Sequence, residues 1–121
     1  LKILVTGSRD WEDAATVERA IFHALYETKT VYREAVLIHG ACPTGADAQA
    51  ARYATTMGMR VLPFPAQWDR WGRSAAFIRN SEMVGIDPDI CLAFIRGGSR
   101  GASMTAQLAE TAGIETRRFL A

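Results

Sequence analysis

Cysteine is nearly absent: Cys42 and Cys91 are the only two. That leaves neither a disulfide framework nor a metal-ligand spacing, and a reducing cytoplasm is the simplest home. No apolar run approaches the ~20 residues that span a bilayer. The amino terminus reads directly as a strand rather than as a signal peptide. An excess of one charge is also missing, since 14 Lys+Arg face 13 Asp+Glu for a net charge of +1. This balance argues against a strongly basic nucleic-acid binder. Lysine is scarce, with only Lys2 and Lys29, so the cations are mostly arginine. Arginine suits bidentate phosphate contacts, although a compositional bias of the source genome gives the same excess. No internal repeat, linker or low-complexity tract divides the chain. Its 121 residues therefore read as one domain, 1–121, large enough for a real core. Leu1 rather than methionine stands first, so residues are expected ahead of it.

What is present is a motif used three times. Ile3–Leu4–Val5–Thr6 runs into Gly7–Ser8–Arg9. Val36–Leu37–Ile38–His39 runs into Gly40, with Thr44–Gly45–Ala46–Asp47 following. Leu92–Ala93–Phe94–Ile95–Arg96 runs into Gly97–Gly98–Ser99–Arg100–Gly101. Each is an apolar, strand-like segment, then a glycine-rich turn, then a helical pattern. In a parallel α/β sheet all three turns open at the carboxyl ends of the strands, the edge where such sheets bind ligands. Glycine lets backbone N–H groups approach an anion, and a helix start adds partial positive charge.

The remaining elements follow from periodicity. Strands are expected at Lys2–Ser8, Ala35–His39, Met59–Phe64, Ile90–Ile95 and Ile114–Leu120. A first helix to about Tyr26 carries the stripe Val17, Ala20, Ile21, Ala24 and Leu25. A second begins at Thr44, with Asp47 in a near-capping-box position, and is expected to bury Ala46, Ala50, Tyr53, Ala54 and Met57. Gln67–Arg73 reads as a loop and Ser74–Val84 as a helix. Ala102–Ala112 reads as a helix with Met104, Leu108 and Ala112 inward. The order β-α-β-α-β-α-β-α-β implies right-handed crossovers. The expected fold is α/β, a Rossmann-like three-layer sandwich whose five-stranded parallel sheet has order 3-2-1-4-5. The third and fifth strands are its edges, and its switch point lies between strands 1 and 4.

The residues able to do chemistry sit at these turns. Gly7, Ser8 and Arg9 are candidates to hold phosphate or ribose. Gly40, Gly45 and Ala46 allow close approach, and Asp47 either contacts ribose hydroxyls or only caps its helix. His39 is a proton carrier or an orienting residue, and nothing nearby in sequence activates Cys42. Arg79 and Asn80 interrupt an apolar helix, as a solvent-exposed pair or as an anion clamp. Gly97, Gly98, Ser99, Arg100 and Gly101 form the most specific single element, expected to bind phosphate or ribose. Trp68 and Trp71 either stack on a base or pack as core or lid.

These segments, with Trp68 through Arg79–Asn80 and Met83, resemble the YspA-type, cpYpsA-related branch of the SLOG superfamily. That superfamily joins Rossmann-like domains of the DprA (SMF) and LOG (lysine-decarboxylase-like) proteins of bacteria and bacteriophages. The resemblance implies binding of a nucleotide or nucleotide-derived ligand at the sheet edge. It also implies a place in the cytoplasm of a bacterial cell or phage-infected host, and it allows a homodimer. LOG members cleave the N-glycosidic bond of nucleoside 5′-monophosphates. Their signature is an arginine–lysine pair followed by Gly-Gly-x-Gly-Thr-x-x-Glu. Here Arg79 matches, Asn80 replaces the lysine, Ala102 replaces the threonine, and Thr105 stands at the glutamate position. An oxocarbenium-like transition state wants a carboxylate, so hydrolysis requires the fold to bring Asp47 or Glu82 to the pocket. Arg79 and Asp47 are the catalytic candidates of that reading.

The leading expectation is therefore a nucleotide-type small-molecule binder with no resident cofactor and no metal site. An N-glycosidase is its first rival. A DprA-type single-stranded DNA binder is the second, weakened by near-zero charge and the lack of an aromatic-basic groove.

Overall fold

The computed structural model describes all residues, 1–121. Five strands form one sheet: β1 (Lys2–Gly7), β2 (Val36–His39), β3 (Arg60–Pro63), β4 (Ile90–Ile95) and β5 (Glu115–Leu120). All neighbours are parallel, in the order β3-β2-β1-β4-β5, as the sequence predicts. Five helices complete the chain: α1 (Ala14–Thr28), α2 (Gly45–Thr56), α3 (Trp68–Trp71), α4 (Ala75–Gly85) and α5 (Arg100–Thr111). No helix is long and apolar enough to cross a membrane.

Strand alternation explains the three layers. Ile3 and Val5 of β1, Leu37 of β2, and Leu92 and Phe94 of β4 pack on one face with Val17, Ile21 and Leu25 of α1 and the alanines of α2. Leu4, Ile38 and Cys91 point the other way, against Met83 of α4 and Ala109 of α5. Every residue of β4 is buried, as its unbroken apolar run requires when both faces are covered. The edge strand β5 instead presents Arg117 and Arg118, paired with Glu27 and Glu110. Charge of this kind blunts an open edge.

Four expectations need correction. Helix α5 faces inward through Ala102, Thr105, Ala106 and Ala109, while Met104 is 39% exposed and Ala112 is also exposed. Small residues win because α5 lies close on Ala93 and Ile95 of the sheet, where a long side chain has no room. At the end of α2, Met57 is 41% exposed, beyond the last sheet-facing position, Ala54; Tyr53 is half-buried. The first strand ends at Gly7, because the Arg96 N–H, next in the ladder with β4, goes to the Ser8 hydroxyl instead of the Ser8 carbonyl. The Trp68–Trp71 segment is a short helix followed by a 3₁₀ turn, Gly72–Ser74, rather than a loop.

Candidate functional site

A cleft of about 790 Å³ opens at the carboxyl ends of the strands. Its floor and walls come from the turn after β1, the turn after β2, the β3–α4 connection, one face of α4, and the start of α5. The switch point between β1 and β4 therefore underlies it, as in other doubly wound sheets.

The first two turns are locked into each other. Gly45 has φ +73°, and a Cβ there would press on the Ser8 carbonyl oxygen and the Arg9 backbone. Gly7 likewise has no room for a side chain, facing Ala46 and the Phe94 backbone. The Thr44 hydroxyl, rather than capping its helix, donates to the Arg9 carbonyl at 3.0 Å. Ser8 is only 2% exposed. Its Oγ accepts the Arg96 N–H at 2.8 Å, so this hydroxyl fastens the end of β1 to the end of β4.

Asp47 belongs to the same locked half. It is 6% exposed, and its Oδ2 accepts the Gly40 N–H at 2.9 Å. The nearby Cys42 amide also favours the charged carboxyl. The helix-capping reading is thereby corrected: Asp47 shapes the preceding turn instead of the start of its own helix. Burial pushes its carboxyl up to about 6, against the opposing pull of these amides and of Arg79. His39 completes the turn. Its Nδ1 accepts the Ala41 N–H at 3.0 Å, and burial lowers its pKa. The ring orients the turn and does not line the cleft.

Helix α4 delivers Arg79 and Asn80 to the cleft wall. The Arg79 Nε donates to Asn80 Oδ1 at 2.8 Å. Its Nη1 donates to the carbonyl oxygens of Gly40 and Phe64, so one guanidinium ties together the ends of β2 and β3. Burial lowers the Arg79 pKa and the Asp47 carboxyl opposes that shift. Plain solvent exposure is thus not the reason for this polar pair: Arg79 is half-buried and Asn80 is 4% exposed.

The third turn is different. Gly97 and Gly98 have φ +60° and +68°, are exposed, and would meet nothing within 4 Å if given a Cβ. The Gly97 N–H points to the Ala121 carbonyl at 3.4 Å, away from the cleft. Beyond them, the backbone N–H groups of Arg100, Gly101 and Ala102 have no acceptor in the protein. Gly101 and Ala102 face the cleft, where the positive end of α5 favours negative charge. Arg96 stands beside them, its Nη1 held by the Asp10 carbonyl at 2.9 Å and by Glu12 at 3.3 Å.

The fold brings Gly7, Ser8, Arg9, Gly40, Asp47, Arg79, Asn80, Ser99 and Gly101 to one cleft, and leaves Gly45, Ala46, Gly97, Gly98 and Arg100 outside its lining. Sequence reasoning missed Arg96 and Asp10, which also line it. Arg96 had a readable signal, as the cation that ends a buried strand just before a glycine pair. Of the two carboxylates considered as substitutes for a catalytic glutamate, Asp47 reaches the cleft and Glu82 does not. Thr105 is 1% exposed and its hydroxyl donates back to the Gly101 carbonyl at 3.2 Å. No group of three His, Cys, Asp or Glu side chains is placed to hold a metal ion.

Comparison with known proteins agrees with this architecture. The Gene 61 protein of Mycobacterium phage D29 is 37% identical over 123 residues, covering 98% of this chain and 95% of that protein. No solved structure matches. The family model of the YspA, cpYpsA-related SLOG family matches residues 1–71, from β1 through α3. With that match, the phage relative and the parallel 3-2-1-4-5 sheet, the chain belongs to the YspA, cpYpsA-related SLOG family.

Proposed function

We propose that the cleft binds a nucleotide or nucleotide-derived ligand, with a phosphate at the start of α5 and the rest extending toward α4. One observation carries the reading: the start of a twelve-residue helix, whose first N–H groups are unpartnered, lines a cleft that Arg9, Arg79 and Arg96 line as well. Such a combination supports anion binding through both the backbone and the side chains. Arg79 and Asp47 act as builders, the first tying β2 to β3 and the second holding the Gly40–Cys42 turn. Arg96 and the α5 amides remain to meet the ligand.

The test is differential scanning calorimetry with AMP, ADP-ribose, cyclic nucleotides and NAD. At least one is expected to raise Tm, and Arg96→Ala is expected to reduce that rise. Ligand at a hundredfold excess over Kd stabilises by about 2.7 kcal/mol, which is a shift of several degrees for a domain this size. No shift with any of the four would overturn the reading.

A second reading, an N-glycosidase, rests on Asp47 alone. A buried carboxyl whose pKa is about 6 suits proton transfer near neutrality. Release of base from AMP or CMP, lost in Asp47→Asn, would support it. Tight binding without release would leave the binding reading by itself.

A further inference from the structure

The three tryptophans of this chain live in three different surroundings. Trp11 is 4% exposed, its ring lies 5.5 Å from that of Phe94, and its indole N–H donates to the Asp13 carbonyl at 2.9 Å. It is a core residue with every part satisfied. Trp71 is 41% exposed, but the Arg70 guanidinium sits 4.7 Å over its ring, and it lies outside the cleft. Trp68 is 52% exposed. It belongs to no apolar cluster, and it has no aromatic or cationic partner. It lines the cleft. Leaving so large an apolar face in water forgoes stabilisation that its burial would bring.

Its placement is not loose. Pro65 and Ala66, just upstream, also line the cleft, and proline fixes the backbone there. The preceding Phe64 is anchored twice, its N–H donating to the His39 carbonyl at 2.8 Å and its own carbonyl accepting from Arg79. Trp68 thus stands on the β3 side of the cleft. The free α5 amides stand on the β4 side, three strand positions away in the sheet order. At ~4.8 Å per strand that is roughly 14 Å. A ligand that uses both ends carries an anion at one and a flat apolar ring at the other.

We infer that Trp68 is the base-stacking wall of this cleft, so that the ligand is a base-bearing nucleotide rather than a sugar phosphate or free phosphate. This rests on the proposed nucleotide site, and it adds the part of that site that recognises the base. Arg79 then lies between the two ends, where the ribose would pass.

Isothermal titration of the unaltered protein, Trp68→Ala, Trp68→Phe and Trp71→Ala tests it, with ribose 5-phosphate and the four nucleoside 5′-monophosphates as probes. The unaltered protein is expected to bind at least the purine nucleotides more tightly than ribose 5-phosphate. Trp68→Ala should weaken those nucleotides by about tenfold or more, the range of base–aromatic stacking, while leaving ribose 5-phosphate as it was. Trp68→Phe should recover most of the loss. Trp71→Ala should change nothing, and thermal scanning should show all variants folded. Equal loss for ribose 5-phosphate and nucleotides, or no loss at all, would overturn the inference. If ribose 5-phosphate binds and nucleotides bind no better, stacking alone is wrong. If no probe binds the unaltered protein, the nucleotide site itself is wrong and the stacking wall falls with it.

Discussion

The two halves of the cleft use glycine for opposite purposes. On the β1–β2 side, Gly45 lets one turn press directly on the backbone of another, the Thr44 hydroxyl fastens that contact, and Ser8, Asp47 and Arg79 spend their polar groups on tying the adjoining strand ends and turn. On the β4–α5 side, Gly97 and Gly98 have open space where a Cβ would stand, and the amides beyond them are free. The same sequence signal, a strand running into a glycine-rich turn, therefore marks a fastened scaffold in one place and an open edge with free amides in the other. In the proposed nucleotide site the anion meets the open half, and the fastened half fixes the shape of the cleft around it.

The largest expected effect breaks the fastened half. Gly45→Ala adds a Cβ inside van der Waals contact of the Ser8 carbonyl oxygen, and the obstacle is backbone that cannot rotate away. At φ +73° the alanine is also strained. A loss above ~3 kcal/mol is expected, read as a Tm drop of ten degrees or more or as failure to accumulate folded protein. A stable, well-folded Gly45→Ala would mean that the two turns are not in contact.

The next effect is titration of the scaffold. Unfolded, Asp47 has a pKa near ~3.9; folded, burial holds it at about 6. The folded state therefore binds the extra proton between these values. The contribution of Asp47 to stability is full below the unfolded pKa and declines as pH rises through the folded one, by about 3 kcal/mol in all. Asp47→Asn keeps an oxygen to accept the Gly40 N–H and removes the titration. Urea unfolding at pH 4, 5, 6 and 7 should show the unaltered protein losing stability relative to the variant across that window. Parallel profiles would mean that the carboxyl is not desolvated.

Much of the fold was legible because burial on both faces leaves a plain trace. The unbroken run Ile90–Ile95 and the proline at Pro63 were enough to separate a central strand from an edge, and alternation supplied the rest. The stripe of α1 was legible for the same reason, since large apolar residues occupy its sheet-facing positions. Helix α5 was not, because apolarity points to Met104 and Leu108 while close approach to the sheet selects Ala102, Ala106 and Ala109. The site divided in a similar way. Sequence placed the turns at one edge, but it could not say which polar groups were already engaged. The Ser8 hydroxyl is bound to Arg96, 88 residues away in sequence, and no local pattern records such a partner. The capping alternative for Asp47 failed for the complementary reason: a capping-box spacing is local, and the Gly40 amide competes for the carboxyl and wins.

The smallest effect sharpens the comparison most. Gly98→Ala places the same side chain on a backbone with φ +68°, within a few degrees of Gly45 at φ +73°. The conformational penalty is therefore nearly common to both substitutions, about 1 kcal/mol. At Gly98 the new Cβ meets open space, so this penalty is the whole effect, a Tm lowered by about 3–5 °C. Subtracting it from the Gly45→Ala loss isolates the cost of forcing the two turns apart, free of the backbone strain that both share. If the fastened and open halves differ as described, the remainder is at least twice the Gly98→Ala effect, and equal losses at the two positions would reduce both glycines to turn formers.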